Sequence, residues 1–259
     1  SSDLKKVTFT AQWETKKEAD YTVLFWAEKA DHPKDAKLLD KYDFVGTHVY
    51  KDQKVGMRPE LEKEPVKDVE FTDLDAGRLK RIYAGEKVKV NNTNGTDKID
   101  IPYLNKFYVY NQDLTNKQNA DSKNPSLIKT VSATGETVYN IYYDRQVYKL
   151  WFTKGLFNRS FYPTLTRNGE VLGKPGSPYH FEARFNQSLV GLWPNDILEV
   201  TGFEEGYNSV GWSILQDVRY NRNYRDTPPY RLTANQFVDY PELSTKGLAK
   251  EIPMGEGVA

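Results

Sequence analysis

From Val7 to Trp13 the apolar residues Val7, Phe9, Ala11 and Trp13 alternate with Thr8, Thr10 and Gln12. A period of two marks a half-buried β-strand. The pattern returns at higher density in TVYNIYYDRQVYKLWFTKG, Thr137 to Gly155. It predicts two aromatic strands meeting at Asp144-Arg145-Gln146. In the second, Tyr148, Leu150 and Phe152 share one face, and Lys149, Trp151 and Thr153 the other. Tyr21 to Glu28 and Tyr42 to Tyr50 predict two more strands. Glu14 to Asp20 is a charged link, and the polar stretch around His32 and Pro33 reads as a loop or short helical turn.

Helical spacing is sparse. Leu74, Leu79 and Ile82 predict a helix within Asp68 to Ile82, with Asp73 as its cap and Gly85 as its stop. Gly77 weakens that helix. Asn91 to Asp100 is a turn-rich loop, Leu104 to Tyr110 a strand, and the Asn-rich stretch Asn111 to Pro125 either a long loop or a flexible insertion. Further on, Phe161 to Arg167, Tyr179 to Phe185 and Val200 to Trp212 are expected as strands. Leu189 to Trp193 and Thr233 to Asp239 are expected as helical turns, before a fraying tail. The pattern predicts a mainly β fold, with α+β character minor: tandem β-rich modules carrying one or two short helices. The modules are expected at 19–146 and 147–240, flanked by a linker at 1–18 and a tail at 241–259. The seam falls near Gln146-Val147, and pairing of the two aromatic strands as a hairpin would couple the modules across it.

Composition sharpens this. The aromatic share is 14% against an apolar share of 38%, a balance that suits pleated, half-exposed sheets better than one compact enzyme core. The 36 basic and 36 acidic residues cancel, which disfavours a general grip on nucleic acid. With no cysteine, disulfides and thiolate metal sites are excluded. The chain contains no run of about 18 apolar residues, the length a membrane-spanning helix needs.

Candidate chemistry is thin. Asp73-Leu74-Asp75-Ala76-Gly77 opens like a calcium loop but lacks the later oxygen ligands, so an acidic helix start is the plainer account. The oxygens of Asn111, Asp113, Asn116 and Asn119 require no metal. His32, His48 and His180 have no zinc spacing, and no G-x-S-x-G elbow occurs. Glu204 and Glu205 are adjacent and would face opposite sides of a strand, whereas a glycosidase needs two carboxyls facing across a cleft. Neither catalysis nor a cofactor is expected. The exception to this thinness is RYNRNYRDTPPYR, Arg219 to Arg231. Tyr and Arg dominate binding hot spots because they supply large contact area and forked donors. Tyr220, Arg222, Tyr224 and Arg225 are the expected ligand-contact patch, against the alternative of Tyr rings packed on their own sheet with Arg snorkelling.

Several phrases carry a resemblance. VTFTAQW at 7–13, YTVLFWAEKAD at 21–31, NIYYDRQVYKLWF at 140–152 and GYNSVGW at 206–212 resemble modules of Gram-positive cell-wall proteins with internalin B-type (Listeria–Bacteroides) repeats. In the last phrase Ser209 stands where such repeats carry an aromatic. The resemblance implies an excised piece of a longer secreted adhesin, anchored to the wall outside this chain, with 1–18 ending a preceding repeat. It implies a host protein or glycan as partner, with virulence as the setting. It would also suit a lysine isopeptide cross-link, for which Lys149 and Lys154 are strand-placed candidates. A structural spacer and a carbohydrate-binding module are the alternatives.

Overall fold

The computed structural model describes residues 8–64, 66, 68–91, 98–151, 164–167, 169–174, 177 and 179–187. The fold is mainly β. In chain order the elements are β1 (Glu18–Glu28), α1 (Leu38–Lys41), β2 (Tyr42–Lys54), α2 (Ala76–Tyr83), β3 (Lys87–Asn91), β4 (Lys98–Pro102), β5 (Tyr108–Tyr110), α3 (Gln112–Gln118), β6 (Thr137–Arg145), β7 (Val147–Trp151), β8 (Leu165–Arg167), β9 (Glu170–Gly173) and β10 (His180–Arg184). Short 3₁₀ turns lie at Leu61–Lys63 and Tyr103–Lys106.

The principal sheet has four strands in the order β2-β1-β6-β5. Burial along β1 alternates, although Val23 to Ala27 is a continuous apolar run in sequence. Ala19, Tyr21, Val23 and Phe25 are buried, while Asp20, Thr22, Leu24 and Trp26 are half-exposed. At Gly46 the chain comes so close to the neighbouring Asp68–Val69 backbone that a Cβ would lie 3.0 Å from both Asp68 O and Val69 Cα. β5 is only three residues long, and α3 continues the edge of β6 where β5 stops. Asn111 N–H donates to Tyr142 O at 2.9 Å, and Tyr142 N–H donates to Thr115 Oγ1 at 3.1 Å. Asn119, fully buried, accepts from Asn140 N–H at 2.8 Å and donates to Asn140 O at 2.6 Å. A side-chain amide thus pairs both backbone groups of one residue, as a neighbouring strand would.

The chain divides into two compact units: Ser1–Trp26 with Phe44–Glu70 and Tyr110–Tyr142, and Ala27–Asp43 with Phe71–Val109 and Tyr143–Ala259. In the first, Tyr21 stacks on Tyr50 at 4.9 Å and meets Tyr139 edge-on at 5.3 Å. In the second, Phe71 lies 4.5 Å from Tyr108, and Phe107 lies 5.0 Å from Phe185. Aromatic pairs at such spacings add about 0.5–1.5 kcal/mol each beyond their buried area.

Several expectations are corrected. β6 and β7 do not form a hairpin, since β7 pairs antiparallel with β10, with Val147 opposite Arg184 and Trp151 opposite His180. The single residue Gln146 between them is too little for a two-residue turn. The helix predicted within Asp68–Ile82 is Ala76–Tyr83, and Asp75 caps it by accepting Arg78 N–H at 2.8 Å. Asp73 instead pairs with Arg145. The Asn-rich stretch holds α3, capped by Asn111, which accepts Leu114 N–H at 2.9 Å. Leu104–Tyr110 begins as a 3₁₀ turn and is strand only at β5. β9, not among the expected strands, pairs antiparallel with β8. Residues 8–17 lie outside any strand, with Phe9 and Trp13 each 91% exposed. An alternating segment becomes a strand only when a second backbone completes its ladder. The features expected at Leu189–Trp193, Val200–Trp212, Thr233–Asp239 and the tail, and Lys154, lie outside the described residues.

Candidate functional site

Two places concentrate chemistry. The first is a buried charge cluster in the second unit. Glu28 closes β1, and Arg145 ends β6. Glu28 Oε2 accepts the Arg145 backbone N–H at 2.8 Å. Glu28 Oε1 is 2.8 Å from His32 Nε2, 3.5 Å from Lys41 Nζ and 3.9 Å from Arg184 Nη1. The Arg145 guanidinium donates to Glu28 O at 2.6 Å, to Phe185 O at 3.0 Å and to Asp73 Oδ2. It also lies 5.3 Å from the centre of the Tyr108 ring. Burial is the main cause that raises the Tyr108 phenol above its ordinary range; nearby Arg145 opposes the rise and Asp73 adds to it.

Both Glu28 oxygens and all three guanidinium nitrogens of Arg145 are engaged within the protein. That suits a structural ion-pair network, since a buried charge is tolerated only when its hydrogen-bonding capacity is met. Among the described residues no group of three or more His, Cys, Asp or Glu is placed to hold a metal ion. His48 is 3.9 Å from Asp68 and packs edge-on to Tyr50, and His180 is exposed on β10.

The second place is an aromatic surface on the first unit. Trp26, at the end of the half-exposed face of β1, meets Phe44 of β2 edge-on at 5.8 Å and lies near-parallel to Tyr142 of β6 at 6.2 Å. Phe44 is 52% exposed. The indole N–H of Trp26 donates to Asn140 Oδ1 at 2.9 Å. Asn140 is itself clamped by Asn119 on both backbone groups. Val138, on the same face of β6 as Asn140, is also exposed. The indole is therefore set before any partner arrives, and pre-ordering of this kind lowers the entropic cost of binding.

Sequence patterning locates Trp26 in a strand but does not single out this surface, because Phe44 and Asn140 reach it from distant parts of the chain. The expected contact patch Tyr220, Arg222, Tyr224 and Arg225 lies outside the described residues. Lys149, the other cross-link candidate, sits on β7 opposite Glu182 of β10. No helix among the described residues is long and apolar enough to cross a membrane. No protein-family model, curated protein or solved structure matches this chain.

Proposed function

We propose that this chain is part of a cell-surface adhesin, held to the wall through sequence outside it, that binds a host protein or glycan without catalysis. The observation that carries the reading is the Trp26–Phe44 surface: large rings, one more than half exposed, set on a rigid sheet by a clamped asparagine. Rigid aromatics of this kind are the common anchors of binding interfaces. Arg219 to Arg231 supplies a second candidate contact through Tyr220, Arg222, Tyr224 and Arg225.

The test is binding of the purified chain to an array of host glycans and matrix or serum glycoproteins. Phe44→Ala and a combined Tyr220/Arg222/Tyr224/Arg225→Ala variant are run alongside. An anchor residue should cost about tenfold or more in Kd, with the melting transition near wild type. Loss in the first variant places the site on the sheet, and loss in the second places it at 220–225. An array without hits turns the assignment toward a structural spacer. One observation favours that second reading: the exposed, alternating segment 8–13, with Phe9 and Trp13 bare, has the pattern of a strand that pairs with a neighbouring module.

A further inference from the structure

We propose that the ligand of the Trp26–Phe44 surface is a neutral pyranose of a host glycoprotein, hydrogen-bonded by the free side of the Asn140 amide, a step that rests on reading this surface as the binding face. An indole N–H only donates, so the oxygen of Asn140 must face Trp26, at 2.9 Å. Nδ2 then lies on the other branch of the planar amide. Among the described residues Nδ2 has no acceptor, and it is not sealed from solvent. The backbone of Asn140 is fixed as well. Its N–H donates to Asn119 Oδ1 at 2.8 Å and its carbonyl accepts from Asn119 Nδ2 at 2.6 Å. A spare donor of set direction therefore stands at the edge of a half-exposed indole.

A pyranose matches that pairing. Its axial C–H groups form an apolar face suited to an aromatic ring, and its hydroxyls project from the rim toward groups at the ring edge. Trp26 with the 52% exposed Phe44 supplies the apolar part, and Asn140 Nδ2 supplies a donor for one hydroxyl oxygen. Small-molecule sites have this composition, mostly apolar with a few placed polar groups that fix orientation. Charge then selects among sugars. Thr22 and Leu24, on the face of β1 that carries Trp26, are uncharged, as is Val138 on the face of β6 that carries Asn140. A carboxylate or sulfate set against these positions would lose water without gaining a cation.

The test is an NMR titration of the whole chain with lactose, N-acetyllactosamine and chitobiose, and with 3′-sialyllactose as the charged counterpart. The Trp26 indole N–H and the Asn140 side-chain amide are followed. At least one neutral sugar should shift both signals saturably, and 3′-sialyllactose should bind no more tightly than lactose. Asn140→Ala removes the donor and should weaken the neutral sugar about tenfold. In a Trp26→Phe background the amide has no indole to hold, so the same loss on adding Asn140→Ala belongs to the donor itself. Phe44→Ala, on an exposed ring, should also weaken binding and decides the matter if the Asn140 variants fail to fold. Absence of a saturable shift with every neutral sugar, or Asn140→Ala binding like wild type, overturns the proposal.

A second arm offers the array glycoproteins before and after enzymatic removal of their glycans. Binding abolished by deglycosylation and by Phe44→Ala supports the sugar. Binding that survives deglycosylation but is lost in Phe44→Ala overturns the sugar and keeps the surface. Binding that Phe44→Ala leaves unchanged overturns both.

Discussion

Arg145 is buried among acceptors, and its removal strands all of them. Arg145→Ala would leave Asp73 without its cation and the Glu28 and Phe185 carbonyls without donors. Breaking a buried pair in this way costs about 3–5 kcal/mol. Arg145→Lys should recover little of that, because one ammonium cannot reproduce a planar fork aimed at three separate oxygens. Urea denaturation of both variants checks the prediction, and a lysine variant near wild type would contradict it. Tyrosines give a second prediction at this scale. Burial raises the Tyr21 and Tyr108 phenols above the ordinary range and pushes Tyr139 up to about 12. These groups keep their protons in the folded chain at a pH where the unfolded chain has lost them. Their contribution is complete below about pH 10 and is lost as the pH rises toward 12. Stability should therefore fall across that window, with part of the tyrosinate absorbance appearing only on unfolding. Tyr139→Phe should flatten the fall, and should also remove the hydrogen bond to Lys129 O at 2.9 Å, worth about 0.5–1.5 kcal/mol.

Among the elements, α3 rests on two asparagines. Asn111 caps its start and Asn119 binds its end to β6. Asn119→Asp keeps the acceptor for Asn140 N–H. It replaces the donor by an oxygen facing the carbonyls of Thr115 and Asn140, which receive that donor at 2.7 and 2.6 Å. The expected loss is at least as large as for Asn119→Ala, about 1–3 kcal/mol from buried groups left unpaired, measured by chemical denaturation. An aspartate variant as stable as wild type would show that the amide pairing contributes nothing. The chain around these residues shows how far local rules reach. Asparagine favours caps and turns, so 111–125 reads as loop, and the two cap positions are indeed asparagines. The helix between them has a single large apolar residue, Leu114, too few for helical periodicity to register. Asp73 and Asp75 are equally plausible caps by residue type. The cap falls to Asp75, which accepts Arg78 N–H, while Asp73 is engaged by Arg145 and by the Tyr108 hydroxyl.

For the molecule as a whole, the binding reading carries a further expectation. The net charge is zero, so attachment through Trp26 and Phe44 should hardly weaken between about 0.05 and 0.5 M salt. Attachment through Arg222 and Arg225 should weaken clearly, because exposed charges are screened over that range. Titrating a ligand found on the array at both salt concentrations separates the two surfaces without any mutation. The strand content and the strand positions of β1, β2 and β6 were legible in the chain, from their aromatic and β-branched residues. The aromatic surface at Trp26 and Phe44 was not. Trp26 and Asn140 are 114 residues apart, and no local pattern records that they meet.

What the sequence by itself determined was local: which segments alternate, the mainly β class, the absence of disulfides and the approximate place of α2. Each follows from a residue's own backbone preference and from its neighbours two or four positions away. Only the tertiary structure decided which strands pair, why β7 leaves β6 to join β10, and why a charged residue at the end of an aromatic strand is buried. Glu28 and Arg145 are separated by 117 residues. A buried charge becomes tolerable only once such distant partners have been brought into hydrogen-bond range.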